Sequence, residues 1–199
     1  IDDLDSLPLP NRSMWNRWIR QPDYPQLTML VGRGCPFDCS YCSNHALRRL
    51  AGGRYIRMRS PENVILELRK LHEEYPHVSN VFMEAESIAL NREWLANLCS
   101  KLELFNQSVG DAITFGVNFR VTKQSADEGM FEMLQRARFR QISIGLESGS
   151  ERVRKEVLNR DYSNDDFLKT VFLARKHGME ISIYNMIGVP GETYDDYLE

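Results

Sequence analysis

Cys35, Cys39 and Cys42 stand within one short run, Gly32-Arg33-Gly34-Cys35-Pro36-Phe37-Asp38-Cys39-Ser40-Tyr41-Cys42. Disulfides within so tight a loop would be strained, so metal is the better use for these thiols. Three thiolates can each take a corner iron of a four-iron four-sulfur cubane, which leaves the fourth iron without a protein ligand. Such an open iron is Lewis-acidic. The amino and carboxylate groups of a bound amino acid can chelate it and so set a sulfonium beside the cluster for reduction. The competing use is a closed zinc tetrahedron with His45 as fourth ligand, but structural zinc usually joins separate chain segments and these four come from one turn. Cys99 falls at helical spacing among Leu95, Leu98 and Leu102 and reads as a buried apolar thiol.

Other polar residues recur where apolar runs end. Glu84-Ala85-Glu86-Ser87 sets two carboxylates after one run, suited to an ammonium, and Asn118-Phe119-Arg120 sets a fork of donors after the next, suited to a carboxylate. Gly145-Leu146-Glu147-Ser148-Gly149-Ser150 lets backbone approach a ligand, with a helix starting near Ser150 that points its amino end at the same place. Ile187 to Thr193 closes the series with a glycine-proline turn. Each signal alone also fits an ordinary surface pair or a tight connection; their recurrence at every strand end is what carries weight.

The elements that must position these residues are legible from periodicity. Strands are expected at Leu27 to Val31, Val78 to Met83, Ile113 to Phe119, Gln141 to Leu146 and Ile181 to Ile187. Ser60-Pro61-Glu62, Ser125-x-x-Glu128, Ser163-x-x-Asp166 and Thr193-x-x-Asp196 mark helix starts, and Gly178 after His177 marks a stop. Apolar stripes at Val64, Leu68 and Leu71, at Leu95, Leu98 and Leu102, and at Met130, Leu134 and Ala137 give each helix one buried face. Strand and helix alternate every 30 residues or so, which predicts right-handed crossovers and an α/β fold on a parallel sheet, doubly wound or barrel-like. Either architecture puts function at the carboxyl ends of the strands.

At 199 residues and 42% apolar content the chain can bury one substantial core. A formal net charge of -3 argues against a polyanion-binding surface. Arg48, Arg49, Arg54, Arg57 and Arg59 form one local basic cluster, read as a solvated or paired rim, with a phosphate or redox-partner contact as the sharper alternative. No apolar stretch reaches eighteen residues and no leader opens the chain, so a cytoplasmic protein without a membrane span is expected. Residues 1–26 hold four of the eight prolines, Pro8, Pro10, Pro22 and Pro25, and read as an extended linker or brace. Beginning at Ile1 and stopping inside a helix start, the sequence reads as an excerpt of a longer protein.

The run Cys35-x3-Cys39-x-Tyr41-Cys42 resembles the signature of the radical S-adenosylmethionine (SAM) superfamily, and the likeness extends from about Leu27 to Glu199. The resemblance implies a partial TIM-type (βα)6 barrel of parallel strands, truncated after the fifth, with residues 27–199 as the radical SAM core. It also implies that Cys35, Cys39 and Cys42 hold a [4Fe-4S] cluster. Tyr41 would pack near the adenine and Met186 would flank it. Glu84 or Glu86 would hold the ammonium, in a turn that lacks the family's usual glycines, while Glu147 and Ser148 would meet the amino acid or ribose. Arg160 would join Arg120 as a partner for the carboxylate. The implied chemistry is one-electron reduction of SAM to methionine and a 5'-deoxyadenosyl radical that takes hydrogen from a substrate. The lead-in from Asp3 to Pro10 resembles the connector from an upstream cobalamin-binding domain, which would make the product a C-methylated small molecule or natural product. The expected reductant is flavodoxin or ferredoxin, and nucleic acid is not an expected partner. A tRNA methylthiotransferase is the rival within the superfamily, and a zinc-stabilised interaction module the rival outside it.

Overall fold

The computed structural model describes residues 1–15, 18, 25–110 and 112–199; Pro22 lies outside them. Five parallel strands, β1 (Gln26–Leu30), β4 (Asn80–Glu84), β5 (Thr114–Phe119), β6 (Phe139–Glu147) and β7 (Glu180–Asn185), form one sheet in that order. Each strand lies beside the one before it, without the reversal of order that defines a doubly wound sheet. With right-handed crossovers this puts every helix on one face, as in a segment of a barrel. The ribbon β2 (Gly32–Arg33) with β3 (Arg57–Met58) is an addition that two-residue strands give no periodicity to predict.

The helix-covered face carries the core. Met29, Val81, Met83, Phe115, Val117, Ile142 and Ile144 are buried beneath α2 (Pro61–Glu74), α3 (Arg92–Ser108), α4 (Glu128–Arg136) and α5 (Asn164–Lys176). Leu68, Leu95, Leu98 and Leu134 supply the helix stripes, each worth about 1.5–3 kcal/mol for a fully buried side chain. The opposite face is polar towards the carboxyl ends. Glu84 pairs in register with Leu30, and Asn118 with Ser143, which in turn pairs with Ser182.

Caps set the helix starts with one departure from expectation. Ser60, Ser163 and Thr193 cap α2, α5 and α6 (Tyr194–Leu198), the last two as capping boxes. At α4 the cap is Asp127, not Ser125, because Ser125 spends its hydroxyl on the Thr122 carbonyl and on Thr170 while the Asp127 carboxylate accepts from the Met130 N–H. After β6 the expected helix is one short turn that passes into a π-helical turn at Val153–Val157.

The segment before β1 braces the sheet. Asp5 accepts from the Ser60 N–H, Asp2 accepts from the Arg54 N–H, and Arg12 pairs with Glu67 at 2.8 Å and donates to the Thr28 carbonyl. Most of the basic cluster is spent internally too. Arg59 is buried against Glu67, Arg57 donates to the Tyr55 carbonyl, and Arg48 caps the cysteine loop. Among the described residues no helix is long and apolar enough to cross a membrane.

Cys99 sits in α3 at zero exposure, and burial pushes its thiol from the ordinary 9.0 up to about 12. A thiol whose folded pKa is raised loses stabilisation as pH rises, because between 9 and 12 the unfolded thiol ionises and the buried one does not. Native Cys99 is therefore expected to resist iodoacetamide at pH 8.5 and to react fully in denaturant, as mass spectrometry of the alkylated chain would show.

Candidate cluster and cofactor site

The cysteine loop lies over the carboxyl edge of the sheet because the chain leaves β1 there and is held from several sides. Gly34 turns it with φ +89°, and a side chain at this position would run into the Tyr55 carbonyl, so only glycine fits. Arg48 from α1 (Asn44–Leu50) donates to the Pro36 carbonyl and pairs with Asp38, both at 2.5 Å. From the far side, the Leu158 carbonyl accepts from the Ser40 N–H and the Asn159 amide donates to the Asp38 carbonyl at 2.9 Å.

Cys35, Cys39 and Cys42 line one cavity of about 250 Å³ together with Tyr41, Glu86, Asn118, Arg120, Ser143, Glu147, Arg160 and Tyr184. All three thiols are free. Burial raises the Cys35 thiol, opposed by the Phe37 backbone N–H and by Arg120. His45, the fourth ligand a closed zinc tetrahedron would need, does not line the cavity. A cubane has a corner for each of three thiolates and one left open, which suits a cavity lined by three thiols. Arg120 donates to Cys39 Sγ at 2.9 Å, so that sulfur accepts a hydrogen bond from a cation.

Opposite the thiols, Glu147 ends β6 in the left-handed region, φ +70°, strain of the kind found at ligand-facing positions. Two partners secure it. Tyr41 donates its hydroxyl to Glu147 Oε1 at 2.8 Å, and Arg160 donates to the same oxygen at 2.9 Å, to the Tyr41 oxygen at 2.7 Å and to the Gly145 carbonyl at 2.7 Å. Burial pushes the Tyr41 hydroxyl well above its usual range, so it stays a donor. Tyr41, Glu147 and Arg160 are thus one bonded unit, tying the cysteine loop to the end of β6.

Glu86 and Glu84 separate. Glu86 faces the cavity, whereas Glu84 lies one layer down and accepts from the Asn118 amide at 2.9 Å. Burial and then the charge of Glu86 raise the Glu84 carboxyl. Two of the expected residues, Ser148 and Met186, are not among those lining the cavity. Ser148 is buried away from the cavity, its hydroxyl accepting from the Ser150 N–H and its carbonyl from Arg154. Met186 follows β7 and packs with Val153, Leu158 and Val189, while Tyr184 faces the cavity in its place. Both residues fall beyond the point where strand alternation fixes which face a side chain takes.

Arg154 gave no signal in the sequence. It has no exposed surface, donates to the carbonyls of Ser148 and Gly149 and to Asn164 Oδ1, and lies 4.8 Å over the Tyr162 ring. Desolvation lowers its pKa, yet the carbonyl dipoles stand in for a carboxylate. Arg154→Leu should cost about 2–3 kcal/mol by orphaning these acceptors, read as a lower melting temperature with m-value unchanged.

The sequence model of the Radical SAM superfamily matches residues 29–199. The chain is 26% identical over 196 residues to the anaerobic magnesium-protoporphyrin IX monomethyl ester cyclase of Cereibacter sphaeroides, covering 97% of this chain and 30% of that protein. It is 23% identical over 201 residues to the tRNA-2-methylthio-N(6)-dimethylallyladenosine synthase of a Thermoanaerobacter species, covering 98% and 39%. In fold it resembles the radical SAM methyltransferase TsrM of Kitasatospora setae, solved with cobalamin and a [4Fe-4S] cluster, at a TM-score of 0.70 and 20% identity over 85% of this chain and 32% of that one. The chain thus spans less than half the length of each. A family match that runs from β1 to Glu199, over a singly wound parallel sheet whose first loop gathers three free thiols, settles the assignment: the chain belongs to the radical SAM superfamily.

Proposed function

We propose that this chain is the catalytic barrel of a radical SAM enzyme, in which Cys35, Cys39 and Cys42 hold a [4Fe-4S] cluster and the rest of their cavity receives SAM. The observation that carries this reading is the single cavity shared by the three thiols with Glu86, Asn118, Arg120, Glu147 and Arg160. When bound, the cluster supplies one electron to SAM, which yields methionine and a 5'-deoxyadenosyl radical able to take hydrogen from an unactivated carbon.

The chain's own residues bind, orient and exclude water. Glu86, rather than Glu84, is the carboxylate free to accept an ammonium, since Glu84 is engaged by Asn118. Arg160 and Glu147 present a fixed donor and acceptor at the end of β6, pre-set by Tyr41. The Tyr41 and Tyr184 rings offer flat surfaces for a purine, and the buried wall of Cys35, Phe119 and Ser143 keeps water from the reacting atoms.

The outcome we favour is methyl transfer from cobalamin held by a domain upstream of residues 1–26, with a small molecule as acceptor. The fold shared with a cobalamin-bound methyltransferase supports it, as does a lead-in anchored on β1 and α2. RNA modification has less support, because Arg48, Arg57 and Arg59 of the basic cluster are committed to internal partners. Free thiols and a reducible cluster go with a cytoplasmic setting and with flavodoxin or ferredoxin as reductant.

Full-length protein with restored cluster and cobalamin, given SAM bearing a deuterated methyl group and an anaerobic metabolite extract, should place the deuterated methyl on a carbon of a small molecule other than methionine. A labelled methylthio group on tRNA, with no labelled small molecule besides methionine, would overturn the methyl-transfer reading.

A further inference from the structure

Arg120 leaves the end of β5 and meets the cysteine loop twice. Its guanidinium carbon lies 3.7 Å from the centroid of the Phe37 ring, and its Nη1 donates to Cys39 Sγ at 2.9 Å. Stacking on Phe37 fixes the plane of the fork, so the N–H that points at sulfur does not wander. Among the described residues no carboxylate pairs with this cation, and its Nε is buried without a partner. No ion pair therefore draws this cation away from the loop: its hydrogen bond goes to Cys39, and its field also reaches Cys35.

We propose that Arg120 is a positioning residue that sets the electron affinity of the cluster through its hydrogen bond to Cys39, distinct from any contact with SAM. The inference rests on the reading that Cys35, Cys39 and Cys42 hold a [4Fe-4S] cluster. On reduction the cluster gains one electron, the donor loses one, and the added negative charge spreads onto the sulfurs. A charged N–H donor at a ligating sulfur favours the more negative state, so it raises the reduction potential. Partial burial strengthens the effect, since screening by water is weak there. Arg120 would then determine how strong a reductant the enzyme needs.

The test is a redox titration followed by electron paramagnetic resonance on the full-length protein without SAM, with iron content and SAM affinity measured alongside. Arg120→Leu removes both charge and donor and should titrate at the lowest potential. Arg120→Gln keeps a neutral donor and Arg120→Lys keeps charge without the stacked fork, so both should fall between Leu and wild type, all with the same iron per chain. Lys123→Ala, which removes an exposed cation from the cavity beyond Phe37, should match wild type. If Arg120→Leu fails to hold iron, the Gln and Lys variants decide. Coincident potentials across the series, with SAM affinity alone reduced, would overturn the proposal and return Arg120 to the SAM carboxylate. Wild-type protein that takes up no cluster would instead bring down the underlying reading, and this inference with it.

Discussion

Alanine at any one of Cys35, Cys39 or Cys42 is expected to cut bound iron from about four per chain to near none and 5'-deoxyadenosine release to background. Cys99→Ala should leave both unchanged. The contrast follows from placement. Three thiols line the site, one for each of three corners of the proposed cluster, so each loss would leave a corner unheld, whereas Cys99 is sealed in α3 on the helix-covered face. The fold should survive the loop substitutions. Arg48, Asn159 and the Ser40 backbone hold the loop independently of its sulfurs, so stability measured without metal should change by less than about 1 kcal/mol. Any of the three alanine variants that kept a full cluster would show that its thiol is not a ligand.

Arg160→Leu should have the second largest effect, and on stability as well as reaction. The Arg160–Glu147 pair is almost out of water, with side chains 5% and 13% exposed, and removing one partner leaves a buried, backbone-strained carboxylate beside the Tyr41 hydroxyl. Breaking a buried pair in this way costs about 3–5 kcal/mol, equivalent to roughly 10 °C in melting temperature for a domain of this size. Glu147→Gln keeps an acceptor for both donors and should cost less. The double variant Arg160→Leu with Glu147→Leu should recover part of the loss, because no charge is then left alone; a double variant as damaged as the sum of the two would show that the residues act separately. Loosening of Tyr41 predicts a further effect, weaker SAM binding in Arg160→Leu at temperatures where the protein remains folded.

What the sequence disclosed follows the range of the interactions. The thiol loop, the strand and helix periodicities and the caps at Ser60, Ser163 and Thr193 are set within a few residues and were legible, whereas the caps at Asn91 and Asp127 were not read. The order of the strands was not, since register between β5 and β6 is a tertiary fact; adjacency of each strand to its predecessor is what decided for the barrel segment. The bonded unit at the site joins Tyr41 to residues more than 100 positions away, and Arg120 reaches Cys39 across 81, so residue types could be nominated but not their partners. Ser125 shows the limit of a local motif. Only the serine was read as the cap, and a contact to Thr170 on α5 engages its hydroxyl while Asp127 caps the helix instead. Arg154 gave no signal in the sequence because its acceptors come together only in the fold, two carbonyls from the turn after β6 and Asn164 Oδ1 from the start of α5.

The central claim is tested most directly on full-length protein purified anaerobically with its iron and sulfide restored. Elemental analysis for iron and zinc would be followed by assay of 5'-deoxyadenosine on addition of dithionite and SAM. The account predicts about four irons per chain, little zinc, and nucleoside that appears only when dithionite and SAM are both present. One zinc per chain with no nucleoside would contradict it and leave the loop from Cys35 to Cys42 a structural staple.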